Sequence, residues 1–241
     1  MTDNKFTQMK SFDFKQFLVG NLIALGIIVV FVIWAQVSPA TLGRNCYEDG
    51  LVEILTVIFL GLSCVGFLMG ARRSKFLKSR DGKFQYFFMI AWAVLMFLFM
   101  GEEASWGQWY FHFETPEAVR EINTQGEFNI HNLMKVQDGK AGWDTHRLLS
   151  IFMLMVGFLL PGISLLKKGK ELVQKFAIPV LPLAYIGFFV GSIVYEKYYY
   201  NLLTDDAATE VRELLMAFGL LFFAVHAYFR PDELFRVKKN S

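Results

Sequence analysis

Six apolar blocks, each about 20 residues long, limit what this chain can fold into more than any other feature. They cover about 17–38 (FLVGNLIALGIIVVFVIWAQVS), 51–70 (LVEILTVIFLGLSCVGFLMG), 84–101 (FQYFFMIAWAVLMFLFMG), 148–166, 176–195 and 211–229. Each can cross the roughly 30 Å hydrocarbon core of a bilayer. Within lipid, every backbone N–H and C=O must be paired inside the protein, which leaves helices or closed barrels. These blocks are continuously apolar rather than alternating, so barrel strands are excluded. The chain reads as all-α: one polytopic membrane domain over 1–241, with six transmembrane helices. Composition agrees. Hydrophobic residues make up 54% and charged residues only 19%, with a mean hydropathy of +0.37. That is too apolar for an ordinary soluble domain and too sparsely charged for a disordered chain. A soluble enzyme, a secreted disulfide scaffold and a nucleic-acid binder are excluded.

Lys and Arg set the expected orientation. Segments 1–16, 71–83, 167–175 and 230–241 share one side of a six-span bundle and hold 17 of the 24 basic residues. That side is predicted to be cytoplasmic and to hold both termini, in a bacterial inner membrane. The carboxylates distribute the other way, with 16 of 22 at or beyond the opposite helix ends. The net charge of +2 therefore hides an inner face rich in base and an outer face, toward the periplasm or exterior, rich in acid. Topology explains the inner lysines, but it does not require outer acids. The first block is longer than a signal-peptide core, so it is expected to remain as an anchor. Cys46 and Cys64 fall at different depths and are expected to be unpaired packing residues. Pro161, Pro179 and Pro182 lie in or beside spans, where kinks are tolerated.

The long outer loop, 102–147, is the most informative stretch, because a loop of this length without structure would be unusual. Thr115-Pro116-Glu117 has the form of a helix start, with Thr as cap, leading to a short helix to about Asn123. Gln125-Gly126-Glu127 resembles a turn. Asn129, His131 and Asn132 cluster behind it. Trp106, Trp109, Tyr110, Phe111 and Phe113 suit a segment lying in the membrane interface or dipping back into the bundle.

Acids converge on this level. Glu102 and Glu103 end the third span, and a continuing helix would put Glu102, Trp106 and Trp109 on one face, leaving at least one glutamate toward the bundle. Glu48 and Asp49 suit the positive end of the second helix, while Glu53 sits a turn deeper. Glu210 and Glu213 share a face of the sixth helix at i,i+3, and Arg212 is placed to pair with a carboxylate on a neighbour. Glu196 joins a tyrosine-rich end of the fifth span, and His146 opens the fourth. His226 lies at the far, inner end and reads as structural or headgroup-facing. Carboxylates this close need counter-charges, protons or a cation.

A divalent metal such as zinc, held by His131 or His146 with carboxylates, would meet that need. Glu53, His131, His146 and Glu213 are the candidate ligands, although no HExxH, HxxxH or CxxC pattern supports them. Glu102, Glu103, His131 and Glu210 are the candidate catalytic groups. Trp106, Gln108, Asn129 and Asn132 are candidates to bind or orient substrate.

GEEASWGQ (101–108) followed by NTQGEFNIHN (123–132) resembles a signature of uncharacterised bacterial multi-pass membrane proteins. The resemblance extends to Glu48-Asp49-Gly50 through Glu53 and to Glu210 through Glu213, and it implies no particular activity. A fainter similarity links the chain to the alkaline ceramidase group of intramembrane metal hydrolases, which begin an early helix with an acidic cluster and act on lipid amides. Their paired late-helix histidines have no counterpart here, since His226 stands alone, and no residue is carried over.

Three functions follow as expectations. The first is a metal-dependent hydrolase or transferase acting at the outer face on a membrane lipid or lipid-linked substrate. The second is a non-catalytic assembly, sensor or scaffold subunit, marked by a closed hydrogen-bonded network. The third is an ion-coupled transporter, which would place its ionisable residues near mid-membrane.

Overall fold

Glycine and alanine let the central helices approach closely, and that approach organises the fold of the computed structural model. It describes residues 14–47, 50–74, 82–123, 126–130, 145–176, 178–203, 205–231 and 234, apart from the side chains of 109, 145–147 and 205–206. Among these, the regular elements are all helical. In chain order they are α1 (Phe14–Val37), α2 (Pro39–Asn45), α3 (Leu51–Arg73), α4 (Lys83–Glu103), α5 (Gln108–Phe111), α6 (Glu117–Arg120), α7 (Thr145–Leu154), α8 (Leu160–Ile163), α9 (Lys167–Lys175), α10 (Ile186–Tyr199) and α11 (Asp205–Phe229). A single π-helical turn, Met155–Leu159, joins α7 to α8.

Helices α1, α3 and α4 are long and apolar enough to cross a membrane. Leu148–Ile163 and Lys167–Lys175 form a pair bent by 117°, which makes a fourth if counted as one span. The fifth apolar block is shorter as a helix than its hydropathy suggests. Residues 178–182 are non-helical, Leu183–Tyr185 is a 3-10 turn, and only the 14 residues of α10 follow as α-helix. Pro179 and Pro182 explain this, because neither can donate to a preceding turn. The sixth block extends the other way: α11 begins at Asp205, well before the apolar run.

Helix α11 lies at the centre. Arg212, Leu214, Leu215, Leu220, Phe223 and Ala227 are all sealed from the surface, although they point in different directions around the helix. Helix α3 packs along it in the same direction. A Cβ on Gly66 would lie 3.0 Å from the Ala224 Cβ, and one on Gly70 only 2.5 Å from the Ala227 carbonyl oxygen. These two glycines form a GxxxG pair that brings the backbones together, as small residues do between membrane helices. Helix α4 runs antiparallel to α3, with Met100 beside Gly61 and Met89 beside Gly70. Stacked rings seal α10 against α11, with Phe188 against Phe218 and Phe222. Helix α1 joins α10, where the Asn21 side chain accepts from Gly187 N and donates to the Leu183 carbonyl.

The resulting bundle has two unlike ends. The starts of α3 and α11 meet the end of α4 at an acidic end. The last turns of α3 and α11 meet at a basic end, where the Arg73 guanidinium lies 4.9 Å from the centre of the Tyr228 ring. The flanks carry large exposed apolar side chains, among them Leu22, Val30, Ile33, Phe87 and Phe97. Apolar exposure of this extent suits lipid rather than water. Replacing Gly70 by Leu must push α3 off α11. The expected outcome is a loss of at least about 1–3 kcal/mol, read as reduced folded yield and a lower melting temperature in detergent.

Candidate functional site

At the acidic end, helix geometry assembles the carboxylates. Glu210 and Glu213 lie one turn apart on α11 and face the last residue of α4, Glu103. One carboxylate oxygen from each of the three lies within 4.8 Å of the others. Glu103 is within side-chain hydrogen-bonding reach of Glu213, and Glu53 in the first turn of α3 is close enough to act on it electrostatically. The helix ends favour these acids unequally. A carboxylate at the start of α3 is stabilised by the positive end of the helix dipole, whereas Glu103 sits at the negative end of its own helix. Glu103 therefore occupies an unfavourable place that only its surroundings can offset.

Arg212 supplies the main counter-charge. It is 1% exposed. Its Nη1 donates to Glu196 Oε1 at 2.5 Å and its Nη2 to Glu213 Oε1 at 2.7 Å. The pairing expected from sequence thus ties α10 to α11. Two carboxylates, Glu196 and Glu213, pair with the guanidinium, and Glu213 also belongs to the group of acids formed with Glu103, Glu210 and Glu53. These acids cannot all remain charged there without protons or a further cation. The three oxygens close together suit a cation by geometry: metal–oxygen distances of about 2.0–2.6 Å accommodate ligand atoms spaced this way. An all-carboxylate donor set favours Mg²⁺, Mn²⁺ or Ca²⁺ over zinc.

A folded cap follows α4. Helix α4 does not continue through Trp109 but stops at Glu103. Ser105 and Trp106 take φ of 43° and 54°, and Gly107 takes 80°. Left-handed backbone at two successive non-glycine residues is costly and persists only where side chains hold it. Here they do. Trp106 folds back over Gly101, and its Nε1 donates to Glu102 Oε1 at 2.9 Å. Ser105 Oγ donates to Glu127 Oε2 at 2.7 Å, and Asn129 Nδ2 donates to the same oxygen at 2.6 Å. Asn123 Nδ2 donates to Asn129 Oδ1 at 2.8 Å. Gln108 bridges the cap, with Nε2 donating to Thr115 Oγ1 and Oε1 accepting from Phe128 N, both at 2.8 Å. Ile130 N donates to Glu102 Oε2 at 2.6 Å and closes the cap onto the end of α4.

The residues named from sequence therefore divide into two groups. Glu103, Glu210 and Glu213 come together, with Glu53 near. Glu102, Trp106, Gln108 and Asn129 make hydrogen bonds that hold the cap. His131 and Asn132 lie outside the described residues, as do Glu48 and Asp49. His146 is placed only as backbone in the first turn of α7. The expected short helix exists as α6, but it is capped from Pro116, and Thr115 binds Gln108 instead. Of the expected turn, Gln125 lies outside the described residues, and Gly126 takes φ 72°. Sequence reasoning did not single out Ser105, Asn123 or Glu127 as members of a buried polar set. His226 is buried at the basic end, edge-on to Tyr185. No protein-family model, no curated protein and no solved structure matches the chain.

Two outcomes test this geometry. Arg212→Ala leaves Glu196 and Glu213 without their shared partner. The expected cost is about 3–5 kcal/mol, measured as thermal stability of the purified protein, and Arg212→Lys should recover only part of it. Cys46 lies just past α2. Burial first, and then the charge of Glu210, push its thiol up to about 12. A raised value means the unreactive thiol prevails at neutral pH. At pH 8, alkylation of Cys46, followed by peptide mass mapping, should be slower in the folded protein by about a thousandfold or more than in the denatured chain. The rate should climb as pH rises toward the thiol's own range.

Proposed function

We propose that the protein is a six-span inner-membrane protein with cytoplasmic termini. In this reading its acidic end, on the outer side, binds a divalent cation and hydrolyses or transfers a group on a lipid or lipid-linked substrate. The observation that carries the proposal is the convergence of Glu103, Glu210 and Glu213 within 4.8 Å, with Glu53 beside them and Arg212 as the nearby counter-charge. Glu103, Glu210 and Glu213 would hold the cation, which when bound supplies a Lewis acid or an activated water. Glu53, whose charge acts on Glu103, would serve as an acid or base, and Arg212 orients Glu213 through its hydrogen bond. The exposed rings of Tyr110 and Phe111 at the cap suit contact with the membrane interface and with an acyl chain. His131 and His146 remain candidates to complete the ligand set.

A second reading is a non-catalytic assembly or scaffold subunit. The cap favours it, because Glu102, Gln108, Glu127 and Asn129 make hydrogen bonds with other groups of the cap itself. A transporter gains less support, since the acids gather at helix ends rather than at mid-depth.

Binding of Mn²⁺ to the purified protein, followed by electron paramagnetic resonance, separates the readings. Saturable binding is expected, weakened about tenfold or more in Glu103→Gln and in Glu210→Gln with the protein still folded. Chelation should then abolish release of product from a lipid extract, and added metal should restore it. Folded protein that binds no Mn²⁺, Mg²⁺ or Ca²⁺ would overturn the cation site. Binding without any lipid turnover would favour the assembly reading.

A further inference from the structure

The basic end carries an element that the acidic site does not use. After α8 the chain turns within three residues, and α9 leaves at 117° to the segment before it. The turn is packed rather than loose. A Cβ on Gly169 would lie 2.1 Å from the Ile163 carbonyl oxygen, and Ser164, itself buried, donates to the Pro161 carbonyl at 2.7 Å. At the other end, Ile178 N donates to the Val173 carbonyl. The orientation of α9 is therefore fixed by the fold. It belongs to the basic end, because α7 and α8 descend antiparallel to α10, with Gly157 against Phe189, toward the level of Tyr185 and His226.

The two faces of α9 differ sharply. At about 100° per residue, Lys167, Lys168, Lys170 and Lys175 fall on one arc with Glu171, the helix's single acid. Gly169, Leu172 and Val173 fall on the other. Val173 is buried against the bundle. Four large apolar side chains flank the lysines in the open: Leu165 at 60% exposure, Leu166 at 65%, Leu172 at 51% and Phe176 at 53%. Lysines alone would be explained by topology. Apolar side chains exposed beside them, on a helix turned off the bundle direction, need an apolar layer and an anionic layer at the same depth. A lipid leaflet with acidic headgroups offers both.

We propose that α9 lies in the membrane plane and is a docking surface for anionic phospholipid, with Lys167, Lys168 and Lys175 on the headgroups and Leu165, Leu166, Leu172 and Phe176 among the upper acyl chains. The proposal is independent of the cation site, and its test does not involve that site.

The experiment uses the full-length protein in nanodiscs of phosphatidylcholine alone or mixed with phosphatidylglycerol, together with lipid titration in neutral detergent followed by native mass spectrometry. Phosphatidylglycerol is expected to bind in preference to phosphatidylcholine and to slow amide exchange over 165–176. Each lysine near the surface is worth roughly fivefold in affinity, so K167Q/K168Q/K175Q should lose about one to two orders of magnitude of that preference. The matching triple arginine variant should retain it, and high salt should weaken it. Equal binding of the two lipids by the native protein would overturn the proposal and leave the lysines to an acidic protein partner. So would a glutamine variant that is folded and keeps the full preference, which would move the lipid contact elsewhere.

Discussion

The acidic end depends on a single buried guanidinium. Arg212 is sealed from solvent and reaches two carboxylates on two helices. A buried charge without partners is strongly destabilising, so Glu196 and Glu213 are held where Arg212 needs them. That requirement fixes the rotation of α11 and the height of α10 beside it. Once α11 is rotated this way, Glu210 one turn earlier must face Glu103 and Glu53. The crowding of acids is thus a consequence of how the ion pair orients the central helix. The surplus of negative charge is not resolved by the pairing that creates it.

The packing beneath the ion pair makes that orientation rigid. Gly66 and Gly70 admit Ala224 and Ala227 so closely that α3 has no freedom to rotate against α11. Both helices run in the same direction, so Glu53 and Glu210 emerge at the same end without any contribution from loops. Helix α4 returns antiparallel and delivers Glu103 at its last residue. Three carboxylate-bearing helix ends are therefore aligned by backbone approach in the apolar core, well below the charges themselves.

Much of this was legible in the sequence, because helix-level signals are local. The long apolar blocks marked α1, α3 and α4. The i,i+3 spacing marked Glu210 and Glu213, and the position of Arg212 between them marked its pairing with a neighbour. What the sequence left open has a common physical form. Glu102 and Glu103 are adjacent and chemically alike, yet one holds the cap and the other faces the bundle. The difference arises from a left-handed turn at Ser105 and Trp106, and no propensity predicts that conformation at serine or tryptophan. The roles of Gln108 and Asn129 were equally hidden, since Asn and Gln bind backbone and side chains in loops as readily as they bind ligands. The shortened α10 was hidden for a different reason. Hydropathy counts the extended 178–182 segment as span, although Pro179 and Pro182 forbid a regular helix there.

The cap and the cluster are linked through one covalent neighbour, and this bears on how the site would work. Glu102 accepts from Trp106 and from Ile130 N, so the cap is fastened to the residue directly before Glu103. Any displacement of the cap must pull on the last turn of α4. That turn holds Glu103 at the negative end of its helix dipole, where an ionised carboxylate is least at ease. A proton or a cation shared with Glu210 and Glu213 relieves that conflict, and relief is greatest when the cap keeps Glu103 in reach. The strained turn, the fastened loop and the crowded acids therefore act on one residue. Glu103 is the point at which the conformation of the cap and the charge state of the cluster must be decided together.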